Sequence, residues 1–176
     1  MLQQTQYDRA AIRLQLSEVF KNAVAMIARF PEEMINQEPA EKEWSGANIA
    51  DHLTKSNHSI ARALQLQGST INRDPGEKIP ELKSVFLDRT NKFEAPSFII
   101  PGVEPMTKET AISAFIASCD EITGLASQVE LSEMINHKAF GDITKLEILH
   151  FVVFHTMRHT VQLEKTFSII SQKNIK

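Results

Sequence analysis

Proline placement constrains what this chain can fold into. Five of its seven prolines, Pro75, Pro80, Pro96, Pro101 and Pro105, lie between Gly68 and Pro105, and none falls in the stretches 40–67 or 106–176. Proline lacks a backbone donor and its ring clashes with the preceding turn, so long helices are confined to stretches without it. Apolar residues recur at three-and-four spacing through those stretches. The first helix is expected from Tyr7 to Phe30, with Ile12, Leu16, Val19, Phe20, Ala23, Met26, Ile27 and Phe30 facing inward and Pro31 as its stop. After a short turn around Glu32–Asn36, Ser45 can cap a second helix running to about Gln67, with Gly68 as its end and Ile49, Leu53, Ile60, Ala63 and Leu64 inward. A third begins at Thr107 and carries Ile112, Phe115, Ile116, Cys119, Ile122 and Leu125. Thr144 and Glu147 form a capping box that opens a fourth, running to about Ser171.

The 68–105 connection is too long for a simple up-down-up-down bundle, where short links suffice. The fold class predicted is all-α, a four-helix bundle with a long crossover between helices two and three, which then run roughly parallel. A short helix over Pro80–Arg89 is expected inside the crossover. The 176 residues suit one domain spanning 1–176. A net charge of −3 offers nothing to attract nucleic acid or an anionic membrane. No apolar run approaches the roughly 20 residues that span a bilayer. The first residues lack the basic and apolar regions of a signal peptide, and the single cysteine, Cys119, suits a reducing compartment. The expectation is a soluble, cytoplasmic protein.

The chemistry-bearing segment is His150-Phe-Val-Val-Phe-His155-Thr-Met-Arg-His159-Thr-Val-Gln162. Residues four apart stand one turn above each other, so His155 and His159 can reach one ion. They share a stripe with Ile148, Val152, Leu163, Thr166 and Ile170, which points both imidazoles into the bundle. Six histidines give about 0.2 chance pairs at this spacing, so the pair also fits two core histidines bonded to backbone or water. Position 156 is Thr, which removes the His-Glu-x-x-His protease pattern. His52 lies at the edge of the second helix's inward stripe and could supply a third nitrogen. Three protein ligands with a fourth position open is the pattern of a catalytic zinc site. His58 is expected on a solvated face, His137 in a surface loop, and His150 opposite His159. Cys119 reads as a small apolar filler, with a fourth-ligand role as the alternative. Trp44 reads as a packing residue, and Gln162 either orients a bound group or bonds within the bundle. Ligation by neutral imidazoles predicts that metal affinity falls below about pH 6.5.

The run Glu43-Trp44-Ser45-Gly-Ala-Asn-Ile-Ala-Asp-His52-Leu, followed by His155-x-x-x-His159-x-x-Gln162, resembles the DinB/YfiT-like family. The Pro31-Glu-Glu-Met-Ile-Asn36 run and the Ala95-Pro96-Ser97 segment after Phe93 are similar to it as well. The resemblance implies a four-helix bundle with a crossover and a metal site on His52, His155 and His159. It also implies a divalent ion, nickel or zinc, and a homodimer. Among relatives of known chemistry it points to transfer or isomerisation with low-molecular-weight thiols; others are labelled metal-dependent hydrolases.

Two function classes follow. One is a metal-dependent enzyme that activates a thiol or a water against a small-molecule substrate. The other is a non-catalytic bundle whose metal braces the core or whose pocket takes a small ligand. The far side of the fourth helix, with His150, Phe154, Met157 and Val161, is also apolar. Either the crossover, through Phe93, Phe98, Ile99 and Ile100, covers that side or a second copy does, and the resemblance favours the second copy.

Overall fold

The computed structural model describes residues 9–90 and 93–174. Five helices carry the fold: α1 Arg9–Ala28, α2 Gly46–Leu64, α3 Ile79–Leu87, α4 Lys108–Gln128 and α5 Lys145–Lys173. The expected start of the first helix at Tyr7 lies outside the described residues. A 3-10 turn, Ser97–Ile99, interrupts the crossover, and a hairpin of β1 Met134–His137 and β2 Gly141–Thr144 precedes α5.

The caps form as the local sequence dictates. Ser45 accepts from the Asn48 amide while Asn48 returns the bond, Thr107 accepts from Thr110, and Thr144 and Glu147 form a reciprocal box. Every residue of the expected α1, α2 and α5 stripes is buried. α4 departs from expectation: Ile116 is 40% exposed, and Ala111, Ser118 and Ala126 are buried beside Phe115, Cys119 and Ile122. Small residues on that face admit α2, where the Asn57 amide donates to Ser118 Oγ at 3.0 Å. α2 stops at Leu64, short of Gln67. Gly68 is instead a point of close approach: a Cβ there would sit 2.5 Å from that of Glu133, beside the bridge between Ser69 and Met134.

Around the bundle the helices follow the order α1, α4, α2, α5, each packing on its neighbours. Residue levels give the directions. Along α2 and α4, Asn48 meets Gly102, Asn57 meets Ser118 and Gly68 meets Glu133, so the two run parallel. Arg9 binds the Ala126 and Val129 carbonyls while Glu32 reaches Lys108, so α1 opposes α4. The crossover returns the chain to the starting end of α2, and α3 within it packs along α5. Phe86 of α3 meets Phe151 edge-on at 4.9 Å, and Arg158 donates to the carbonyls of Phe86 and Asp88. Of the apolar residues expected on the outer side of α5, Phe154 is buried at 7% exposure, whereas Met157 stands at 40%. Among the described residues, no helix is long and apolar enough to cross a membrane.

The stretch before α5 reads in sequence as a loop but is a hairpin, with Ile135 opposite Ile143 and Asn136 opposite Asp142. Its tip closes through Phe140 N–H to the His137 carbonyl, with Gly141 in the left-handed region at φ 62°.

Candidate metal centre

α2 and α5 bring His52, His155 and His159 together, all buried, with ligand atoms within 4.8 Å of one another. The Nε2 atoms of His52 and His159 each lie 3.1 Å from Nε2 of His155. Two nitrogens about 2.0 Å from a shared tetrahedral ion stand about 3.3 Å apart, so the two spacings at His155 suit one ion.

Proton counting tests the fit independently. His52 Nδ1 lies 2.9 Å from the Ile99 carbonyl, which can only accept, so that nitrogen carries the hydrogen. His159 Nδ1 lies 2.7 Å from the Gln162 amide oxygen and carries its hydrogen for the same reason. Both neutral rings then present bare Nε2 lone pairs to His155. A neutral His155 has at most one N–H to offer between them. An added proton would relieve the clash, but burial opposes it. Burial holds His155 well below the ordinary imidazole range and, with the His52 charge adding to it, His159 down to about 3. Burial also lowers His52, against the opposing pull of the Ile99 carbonyl. Three converging ring nitrogens with at most one hydrogen among them, in a site that resists protons, match what a divalent cation requires. The same lowering moves proton competition for the ligands below the pH 6.5 expected from free imidazole.

The three rings line a cavity of roughly 1060 Å³ between α2, α5, α3 and the crossover. Trp44 does more than pack at the head of α2. It stands 4.8 Å from the His52 ring and 6.3 Å from that of His159, and it lines the cavity. Gln162 fixes the His159 tautomer and lines the cavity. His137, expected at the surface, is half-buried on the cavity wall and stacked on Phe140 at 5.0 Å. It stands outside the three-ring group, as do the others. His58 pairs with Glu121 at 2.7 Å on the surface, and His150 leans on Phe154. Cys119 packs beside Asn57, outside the three-ring group, with its thiol pushed up to about 12 by burial, which fits a filler. Sequence reasoning missed the Ile99 carbonyl, since a backbone atom 47 residues from His52 leaves no side-chain signal.

Fold and site together define a four-helix bundle with a buried three-histidine group able to hold a metal ion. The chain belongs to the DinB superfamily, whose family model matches residues 15–163. It is 24% identical over 138 residues to the uncharacterized protein YuaE of Bacillus subtilis (strain 168), covering 76% of this chain and 83% of that protein. Among solved structures it is similar to TT2238, described as a four-helix bundle protein, with TM-score 0.58 and 13% identity over 89% of this chain and 98% of that one. It is also similar to YfiT from Bacillus subtilis, described as a probable metal-dependent hydrolase with an unusual four-helix bundle topology. There the TM-score is 0.57 and the identity 11%, over 94% of this chain and 89% of YfiT. At these identities the solved structures establish the fold.

Proposed function

We propose that this protein is a metal-dependent enzyme: His52, His155 and His159 hold one divalent ion, zinc or nickel, at the floor of the cavity, and a small molecule reacts there. The observation that carries this reading is the convergence of three imidazole nitrogens that have at most one hydrogen to share among them. A divalent ion supplies Lewis acidity that makes a coordinated thiol or water nucleophilic near neutral pH. The chain's own residues do the rest. The Ile99 carbonyl and Gln162 orient two rings, and Trp44 and Phe151 shield the group from bulk water.

The nucleophile in this reading is a low-molecular-weight thiol and the reaction an S-transfer in the cytoplasm. Hydrolysis is the second reading, favoured by the description of YfiT. The test is elemental analysis of protein purified without an affinity tag, followed by thiol-consumption and ester-hydrolysis screens. About one ion per chain is expected, with thiol consumed against a haloarene or epoxide and the activity lost in His159→Ala. Ester turnover without thiol consumption selects hydrolysis. Silence in both screens with a closed coordination sphere selects a binding module, and absence of metal from wild type ends the reading. A homodimer belongs to the same proposal, supported by Met157, exposed on the outer side of α5; Val161, expected beside it, lines the cavity instead. Sedimentation at micromolar concentration should show a dimer that Met157→Glu weakens; a wild-type monomer excludes it.

A further inference from the structure

The wall of the cavity says what kind of molecule belongs in it. Four phenylalanines form a continuous chain of ring contacts leading away from the imidazoles. Phe151 stacks on His155 at 5.0 Å, Phe140 and Phe86 meet Phe151 at 4.7 and 4.9 Å, and Phe93 stacks on Phe86 at 5.6 Å. They come from α5, the hairpin tip, α3 and the crossover, so four separate parts of the fold contribute rings to one wall. Trp44 closes the space on the side of His52.

The wall is held in place. Arg158 grips the carbonyls of Phe86 and Asp88 and sets its guanidinium over Phe93 at 5.1 Å. Charged lining groups such as Lys42, Glu81, Arg89 and Glu94 are exposed and sit toward the rim. Phe93 and Phe98 line the same cavity yet remain 51% and 52% exposed, apolar surface that an occupant would cover. Rings packed offset or edge-to-face gain more than their buried area alone provides, so such a wall favours a ring over an alkyl chain of equal size.

We infer that the cavity takes an aromatic substrate, a flat ring system with one metal-seeking donor group, bound with the ring along the phenylalanine wall and the donor toward the imidazoles. This rests on the metal-dependent reading above for the donor group, but not for the ring.

The experiment has two arms, so that the two ideas can fail separately. In the first, protein loaded with Co²⁺ is titrated with benzohydroxamate and with acetohydroxamate, which carry the same chelating group with and without a ring. The cobalt absorption band reports binding. The benzo compound should bind about tenfold more tightly or better. Phe86→Leu and Phe93→Leu keep apolar volume but remove a ring, and should shrink the preference with cobalt content unchanged. Equal affinities in wild type, or a preference untouched by both variants, overturn the inference.

The second arm applies if the protein takes up no cobalt, which would end the metal reading. Wild-type protein is then titrated with 2-naphthol and cyclohexanol, following emission of Trp44, the chain's single tryptophan. Saturable 2-naphthol binding, weaker in Phe86→Leu and absent for cyclohexanol, sustains the aromatic inference without the metal. No 2-naphthol binding, or equal binding of both, overturns it.

Discussion

α5 buries two polar clusters two turns apart, and they are opposites. At its first turn, Glu147 is fully buried and its carboxylate accepts from Arg73 at 2.6 and 2.7 Å and from the Lys78 and Thr144 amides at 2.9 Å each. Burial pushes that carboxyl up, but Arg73 and the two amides together outweigh it, and the group sits below its ordinary range. Around His155 the acceptors converge and at most one donor stands among them. The first cluster is complete and ties residues 73–78 of the crossover to the head of α5. The second has more acceptors than hydrogens and is of a kind that could hold a metal ion. Burial alone does not mark a functional site; converging ring nitrogens with too few hydrogens between them are the better sign.

Substitutions can break that contrast. The largest effect on folding is expected at the complete cluster: Glu147→Ala should cost about 3–5 kcal/mol, because it strands Arg73 and two amides. Urea unfolding in the presence of a chelator measures it, and a loss under about 1 kcal/mol would mean the cluster is dispensable. His155→Leu, similar in volume, should leave the stability of chelated protein within about 1 kcal/mol of wild type while removing metal binding, since it eliminates a lone-pair conflict. A large loss of stability in chelated protein would show that the imidazoles already satisfy one another.

Gln162→Leu keeps the three rings but frees His159, and a metal affinity about 10–100-fold lower is expected from competition against a chromogenic chelator. Acid separates the clusters by pH window. The His52, His155 and His159 pKa values are lowered in the fold, so below about pH 6.5 the unfolded chain takes up protons the folded chain refuses, and stability of chelated protein falls from there downward. Glu147 is also lowered, so its contribution is full above the unfolded carboxyl value near about 4.3 and disappears only below it. A stability profile with a single descent below pH 4 would contradict the histidine part. The smallest effects should come from His58→Ala and His137→Ala, with metal content equal to wild type by elemental analysis.

Much of this was legible because it is local. Caps at Ser45, Thr107 and Thr144 and the stripes of α1, α2 and α5 depend on residues three or four apart, and helical periodicity carries His155 and His159 to one face. What stayed hidden depends on distant partners. Arg73 and Glu147 are 74 residues apart, and neither residue announces the other. The hairpin escaped because four-residue strands barely show alternation and its tip, Lys138–Phe140, lacks the Asn-Gly signal. Hydrophobicity alone points Ile116 inward, whereas the face of α4 that is buried carries the smaller Ala111 and Ser118, and Ser118 meets Asn57 of α2. His137 reached the cavity wall only because the hairpin folds back over α5.

The ring order α1, α4, α2, α5 has a consequence for when the site can exist. Helices adjacent in sequence, α1 with α2 and α4 with α5, lie across the diagonal rather than side by side, so neither hairpin of helices can close its own core. His52 leaves the ribosome 103 residues before His155. Until α5 is released and docks between α1 and α2, one imidazole stands alone and cannot gather an ion. Joining such distant segments is among the slower steps available to a chain of this length. A nascent or truncated chain ending before α5 would offer metal a single histidine of the three, so capture of the ion would coincide with completion of the fold.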